Sequence, residues 1–314
     1  LHNGLEDIKI MNKLVNQVKK GQENLEHFNE LLHYQIYPYL NFKEFQNSYS
    51  SNLRNGGGNG GQINSSTWIA IGPMGAPTGS ANNGFPRKAG RDNFVTFHPT
   101  NQSTFWAGSP AGGLWNTTNN GTNWTTTTDY LSVIGCSDLA IDPANPSIMY
   151  LATGDGDGGD TYSIGVLKST DGGQTWNTTG LTYAVSVQRQ IRRLIINPVN
   201  TQILIAATSA GIFYTSNGGT TWSQSSTGNF YDVEFNTGNP STVYAAGTAF
   251  YLSTNGGTSF SLISSGISTG AQRMNIAVTS ADPTYVYVLA SSNTSSGLLG
   301  VYQSTNSGTS FVTK

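Results

Sequence analysis

The 314-residue chain has only 10% charged residues and a formal net charge of −2. No basic stripe exists to neutralise phosphates, which excludes a nucleic-acid binder. No apolar run reaches the ~18 residues needed to span a membrane, and 38 glycines among many Ser, Thr and Asn residues suit an extracellular all-β protein.

Residues 1–45 read as a helical segment. Leu5, Ile8, Met11, Val15 and Val18 recur at helical spacing, as do Leu25, Phe28, Leu31 and Leu32. Gly21 separates the two runs and Pro38 ends the second. The scattered His2, His27 and His33 read as solvated helix positions. Residues 46–66 form a linker around Asn55-Gly-Gly-Gly-Asn-Gly-Gly61. The remainder, 67–314, is expected to be a β-propeller, C-terminally incomplete. No signal peptide is visible and the chain starts at Leu1, as in a processed secreted protein.

Within 67–314 a unit recurs. Trp68–Gly72 reads as a lone outer strand. Innermost strands follow at Phe94–Pro99, Asp138–Pro143, Arg193–Pro198, Asp232–Asn236 and Asn275–Thr279. They are short, rich in Val, Ile, Tyr and Phe, and bounded by Gly, Pro, Asn and Ser. Each unit contains one copy of Ser/Thr-x-Asp/Asn-x-Gly-x-x-aromatic. The copies are Thr117–Trp124, Ser169–Trp176, Thr215–Trp222, Ser253–Phe260 and Ser304–Phe311, with closing aromatics 52, 46, 38 and 51 residues apart. Asp or Asn can bond the backbone of a tight turn, Gly supplies positive φ, and the aromatic anchors the hairpin. That period implies about five four-stranded blades of a larger propeller. Trp124, Trp176, Trp222, Phe260 and Phe311 should be buried at equivalent rim positions. Lys314 lies three residues past the fifth copy, so the last blade is expected to lack its fourth strand. Cys136 permits no internal disulfide and reads as a small buried filler.

The eight-residue motif matches the Asp box, or bacterial neuraminidase repeat. It resembles sialidases, sortilin-type receptors and two-propeller xyloglucanases alike, and so names no activity. The runs Ala89–Pro99, Ala107–Trp115 and Tyr150–Gly173 resemble large secreted proteins of the Bacteroidetes. Those are Asp-box, sortilin-like propellers exported by the type IX secretion system, often with a C-terminal sorting domain. The resemblance covers roughly residues 68–314, and more weakly 41–49. It implies a secreted or cell-surface location and secretion-system components as partners.

Two groups of residues carry candidate chemistry. The loop Gly154-Asp-Gly-Asp-Gly-Gly-Asp160 contains a literal G-x-G-x-x-G, but no helix follows and its aspartates would repel a pyrophosphate. Asp155, Asp157 and Asp160 could surround calcium, a hard cation that takes 6–8 oxygens. A ligand-facing loop without metal and a polar turn are the alternatives. The second group comes from aligning the innermost strands. At one height they carry Phe94, Asp138, Arg193, Asp232 and Asn275, with Arg91, Arg192 and Arg273 nearby. The group reads either as a structural ring with Arg193 between Asp138 and Asp232, or as a ligand-binding pocket of Arg91, Asp138, Arg193, Asp232 and Arg273.

A sialidase would require Arg91, Arg193 and Arg273 to clamp a carboxylate. Yet the only propeller glutamate is Glu234, inside a strand. An ordinary glycosidase needs two carboxylates about 5–9.5 Å apart, for which Asp138 with Asp232, or Asp157 with either, are candidates. A Ser-His-Asp site is disfavoured because His98 occupies a turn slot shared with Asp142 and Asn197. Zinc is disfavoured because Cys136 and His98 are the only soft ligands there. The leading expectation is a binding or adhesion module for a glycan or surface protein. The alternative is a glycoside hydrolase, sialidase-like or polysaccharide-degrading, using carboxylates at the propeller mouth.

Overall fold

The computed structural model describes residues 91–157, 159–295 and 297–314. The expected helical segment, the linker and the Trp68–Gly72 strand lie outside the described residues.

Five antiparallel meanders follow one another along the chain. The first comprises β1 (Phe94–Phe97), β2 (Phe105–Ser109), β3 (Gly113–Thr117) and β4 (Thr125–Thr126). The second comprises β5 (Cys136–Ile141), β6 (Met149–Thr153), β7 (Gly165–Ser169) and β8 (Asn177–Thr182). The third comprises β9 (Ile191–Ile196), β10 (Leu204–Thr208), β11 (Gly211–Thr215) and β12 (Ser223–Thr227). The fourth comprises β13 (Asp232–Phe235), β14 (Val243–Ala246), β15 (Phe250–Ser253) and β16 (Ser261–Ile263). The fifth comprises β17 (Ala271–Val278), β18 (Val286–Ser292), β19 (Leu298–Ser304) and β20 (Val312–Thr313). Among the described residues the one helical element is a 3-10 turn at Val185–Val187. The first strands of successive sheets lie side by side, β1 with β5, β5 with β9, β9 with β13 and β13 with β17. These are the blades of a β-propeller.

Burial is high in the inner strands of a blade and lowest in the last, and composition follows it. Every residue of β5, β6, β13 and β14 is buried, because neighbouring blades cover both faces. The second strands β6 and β14 therefore run almost continuously apolar, while β5 and β13 also carry the buried Asp138, Asp232 and Glu234. The fourth strands β8, β12 and β16 are largely exposed and read as Thr, Ser, Asn and Gln with few apolar positions. The apolar cores lie between blades. Trp106 of β2 meets Leu139, Met149 and Leu151 of the second blade, and Tyr244 and Phe250 of the fourth meet Met274, Val288 and Phe311 of the fifth. Each large side chain of this kind contributes about 1.5–3 kcal/mol of burial. Cys136 is fully buried in the first of these cores, and burial pushes its thiol up to about 12.

The repeated turn joins third and fourth strands in all five blades. In the second, the Ser169 hydroxyl donates to Asp171 Oδ1 (2.7 Å) and accepts from the Gly173 amide (2.8 Å), while Asp171 Oδ1 accepts from the Thr175 amide (2.9 Å). The same three bonds recur at Thr117, Thr215, Ser253 and Ser304. Two consecutive positive φ angles explain the pattern's tolerance. The fourth position holds φ of 54–72° and accepts Asn120 or Ser307, whereas the fifth holds 79–92° and is always Gly. These turns also lock blades together. A Cβ on Gly257 would lie 2.3 Å from Ile205 of the third blade, and one on Gly308 would lie 2.9 Å from Tyr244 of the fourth.

Two expectations need correction. Trp176 and Phe311 are buried, but Trp124, Trp222 and Phe260 are only half-buried. The fifth blade does have a fourth strand, because Val312 and Thr313 suffice to pair with Gln303 and Tyr302.

Candidate functional site

The first strands bring the predicted charges together in register. Asp138, Arg193 and Asp232 each stand opposite an alanine of the second strand, Ala152, Ala207 and Ala246. Arg193 faces Asp138 at 3.4 Å and Asp232 at 3.8 Å, as the ring reading requires. Its shortest contact is one the alignment overlooked: Glu234, with Nη2 to Oε1 at 2.6 Å and Nε to Oε1 at 3.1 Å. The signal was present, since Glu234 lies two residues past Asp232 and therefore on the same strand face.

The three carboxylates are 5–8% exposed, so this is a buried cluster. Two of them are also stitched to the next blade. Asp138 Oδ2 accepts from the Leu194 amide (2.8 Å), and Asp232 Oδ2 accepts from the Ile276 amide (2.7 Å). Three carboxylates around one guanidinium leave a surplus of negative charge. Burial, opposed by Arg193 and reinforced by Asp232, pushes the Glu234 carboxyl up to about 7.

The acidic loop between β6 and β7 lies against this cluster. A Cβ on Gly156 would meet Ser137, Ile191 and Arg192 at the starts of β5 and β9. Arginines from three blades converge on the loop. Arg91, ahead of β1, donates to Asp155 at 2.6 Å and to Asp160 at 3.4 Å. Arg192 of β9 donates to the Gly156 carbonyl at 3.0 Å, and Arg273 of β17 pairs with Asp157. Asp155 is fully buried and accepts from the amides of Asp157, Gly159 and Asp160. Burial alone would raise its carboxyl, but these amide bonds and Arg91 outweigh it and hold the group at about 2.

In this geometry the three candidate calcium ligands are engaged by arginines. Arg91 Nη2 holds Asp155 and Asp160 together, while Arg273 engages Asp157 separately. Among the described residues no group of three or more His, Cys, Asp or Glu is placed to hold a metal ion. The expected five-residue pocket likewise divides. Asp138, Arg193 and Asp232 belong to the buried cluster, whereas Arg91 and Arg273 belong to the loop above it.

No family model matches the chain. A xyloglucanase of Paenibacillus sp is 31% identical over 144 residues, covering 41% of this chain and 14% of that protein. A xyloglucanase of Hypocrea jecorina (strain QM6a) is 28% identical over 143 residues, covering 41% and 17%. The match thus spans about a sixth or less of these relatives' length. Among solved structures, an ancestral GH74 enzyme superposes with a TM-score of 0.60 at 22% identity, over 72% of this chain and 31% of that one. The GH74 enzyme of Niastella koreensis superposes with a TM-score of 0.53 at 24% identity, over 71% and 37%. These likenesses support the propeller fold. No helix among the described residues is long and apolar enough to cross a membrane.

Proposed function

We propose that this chain is the propeller of a secreted, polysaccharide-directed protein whose reaction is hydrolysis of a glycosidic bond. The observation that carries this reading is the 31% identity over 144 residues with a xyloglucanase. Such hydrolysis uses two carboxylates, one holding a proton for the leaving oxygen. Glu234, pushed up to about 7 by burial, has the environment of a proton-holding acid, and Asp232 supplies a second carboxylate on the same strand face. Asp-box membership, type IX export, a cell-surface location and secretion-system partners belong to the same proposal. They are supported by the five matching turns and the sparse charge.

A second reading, glycan binding or adhesion without cleavage, is favoured by one observation. Arg193 and the adjoining strands hold all three cluster carboxylates away from solvent, and a catalytic acid must reach the glycosidic oxygen. The test incubates the full chain with xyloglucan and a panel of other plant, algal and sialylated glycans and assays new reducing ends. Hydrolysis that disappears in Glu234→Gln with the fold intact supports the first reading. Retention on a xyloglucan affinity gel without new reducing ends supports the second. Neither release nor retention on any glycan would overturn both.

A further inference from the structure

We infer that Arg273 at the propeller mouth is a subsite for the carboxylate of an acidic sugar, and that Asp157 is its built-in, displaceable stand-in. This rests on the glycan-directed reading above and names the ligand class.

Arg273 is positioned by an aromatic ring and two hydrogen-bond acceptors. Its guanidinium carbon lies 5.2 Å from the centre of the Tyr231 ring, and that of Arg192 lies 4.2 Å from the same ring. Such stacking orients a guanidinium while leaving its edges for hydrogen bonding. The Nε edge donates to Asn275 Oδ1 at 3.1 Å. Nη1 donates to Asp157, a residue 116 positions away in another blade. Arg192 is committed elsewhere, to the Gly156 and Phe230 carbonyls and to the side chains of Asn229 and Gln190. Arg273 therefore presents an oriented donor edge whose present occupant is a carboxylate.

That occupant is loosely held. Asp157 is 55% exposed, against a fully buried Asp155 only two residues away. An exposed ion pair contributes little, so an incoming carboxylate can exchange with it at small cost. The backbone next to it accommodates the exchange. Gly156 is fixed against β5 and β9, whereas Gly159 on the other side of Asp157 holds φ +142° with open space where a Cβ would stand. Asp155 keeps the loop anchored through Arg91 and three amides, so Asp157 can leave Arg273 without unfolding it. The donor edge already holds a carboxylate, and the sugar that carries that group is a uronic acid.

Calorimetric titration of the full chain with trigalacturonic acid, a neutral xyloglucan oligosaccharide and a sulfated neutral trisaccharide tests this. Asp157→Asn should bind trigalacturonic acid about two- to fivefold more tightly than wild type, because an exposed internal competitor is gone. Arg273→Lys, which keeps the charge and loses the fork, should bind it about tenfold more weakly or worse. Neither variant should change affinity for the neutral oligosaccharide, and both should keep the wild-type melting profile. Uronate affinity unmoved by Asp157→Asn, or retained in Arg273→Lys, overturns the assignment. Equal or tighter binding of the sulfated sugar also overturns it. If the neutral oligosaccharide binds and the uronate gains nothing, this inference falls while the glycan reading stands. If no sugar binds, both fall.

Discussion

Two ion-pair clusters occupy the same end of the blades, and they differ in how far water reaches them. In one, Asp138, Asp232 and Glu234 surround Arg193 in the interior. In the other, Arg91 and Arg273 hold Asp155, Asp157 and Asp160 at the mouth, where Asp157 and Asp160 are exposed. The chemistry is the same but the energetics are opposite. Removing one partner from a buried pair strands a charge in low dielectric, which costs about 3–5 kcal/mol. Removing one partner from an exposed pair costs about 0.2–1 kcal/mol, because water replaces it. The interior cluster thus behaves as part of the fold, and the exposed Asp157 and Asp160 contacts of the outer one as replaceable.

The largest effect should come from Arg193→Met. Three carboxylates would lose their common partner, and stability should fall by about 3–5 kcal/mol. For a domain of this size that is a drop in Tm of about 10 °C, measurable by calorimetry. Adding Asp232→Asn and Glu234→Gln to Arg193→Met should recover part of the loss, since neutral groups need no counter-ion. A triple variant no more stable than the single one would break the contrast.

Glu234→Gln should act through pH. The folded-state carboxyl sits at about 7, above its ordinary 4.5. A raised carboxyl binds its proton more tightly when folded, so its stabilising contribution is complete below about 4.5 and is lost as pH rises through about 7. Wild-type Tm should therefore decline across that window, and the decline should be absent in Glu234→Gln. Above about pH 7 the stability gap between the two proteins should therefore have moved in the variant's favour. Parallel pH profiles for the two proteins would count against a proton held at Glu234.

The same divide decided what could be read from residue order. The eight-residue turn was legible because its chemistry is local: Thr117 carries the hydroxyl, Asn119 the acceptor and Gly121 the positive φ. The blades followed from its recurrence. The inner charges were legible only through alignment, since repeats share register and so place Asp138, Arg193 and Asp232 at one height. Glu234 escaped because the other repeats carry Thr96, Ala140, Ile195 and Ala277 at that position, which flag no charge. The arginine partners of the candidate calcium ligands were hidden for a related reason. Spacing within Asp155–Asp160 cannot show that Arg91, 64 residues earlier than Asp155, and Arg273, 116 residues later than Asp157, already hold those carboxylates.

Within the loop, Asp155→Ala should cost about 1–3 kcal/mol, between the two extremes. It would leave the amides of Asp157, Gly159 and Asp160 without their acceptor and Arg91 without its closest partner. Hydrogen exchange at those three amides should quicken, and Tm should fall by a few degrees. The sign with pH is the reverse of that for Glu234. A carboxyl held at about 2, below its ordinary 3.8, stabilises above about 3.8 and ceases to do so as pH falls through about 2. The gap between the two proteins should thus narrow in acid. A gap that widens in acid would remove Asp155 from its anchoring role.

The smallest effect belongs to Asp157→Asn, and its smallness is the point. Asp157 is more than half exposed and pairs with an Arg273 that Tyr231 and Asn275 already orient. Losing the pair should shift stability by no more than about 0.5 kcal/mol, and about 0.3 M salt should erase even that, because exposed charges are screened within roughly a Debye length. Asn retains the side-chain volume, so packing does not change with the charge. Thermal melts of wild type and variant at low and high salt measure this directly. A salt-resistant loss above about 1 kcal/mol would mean that the pair is as structural as the one at Arg193. In that case Arg273 would have no cheap partner to exchange, and the mouth would be a closed end of the fold instead of a surface open to a ligand.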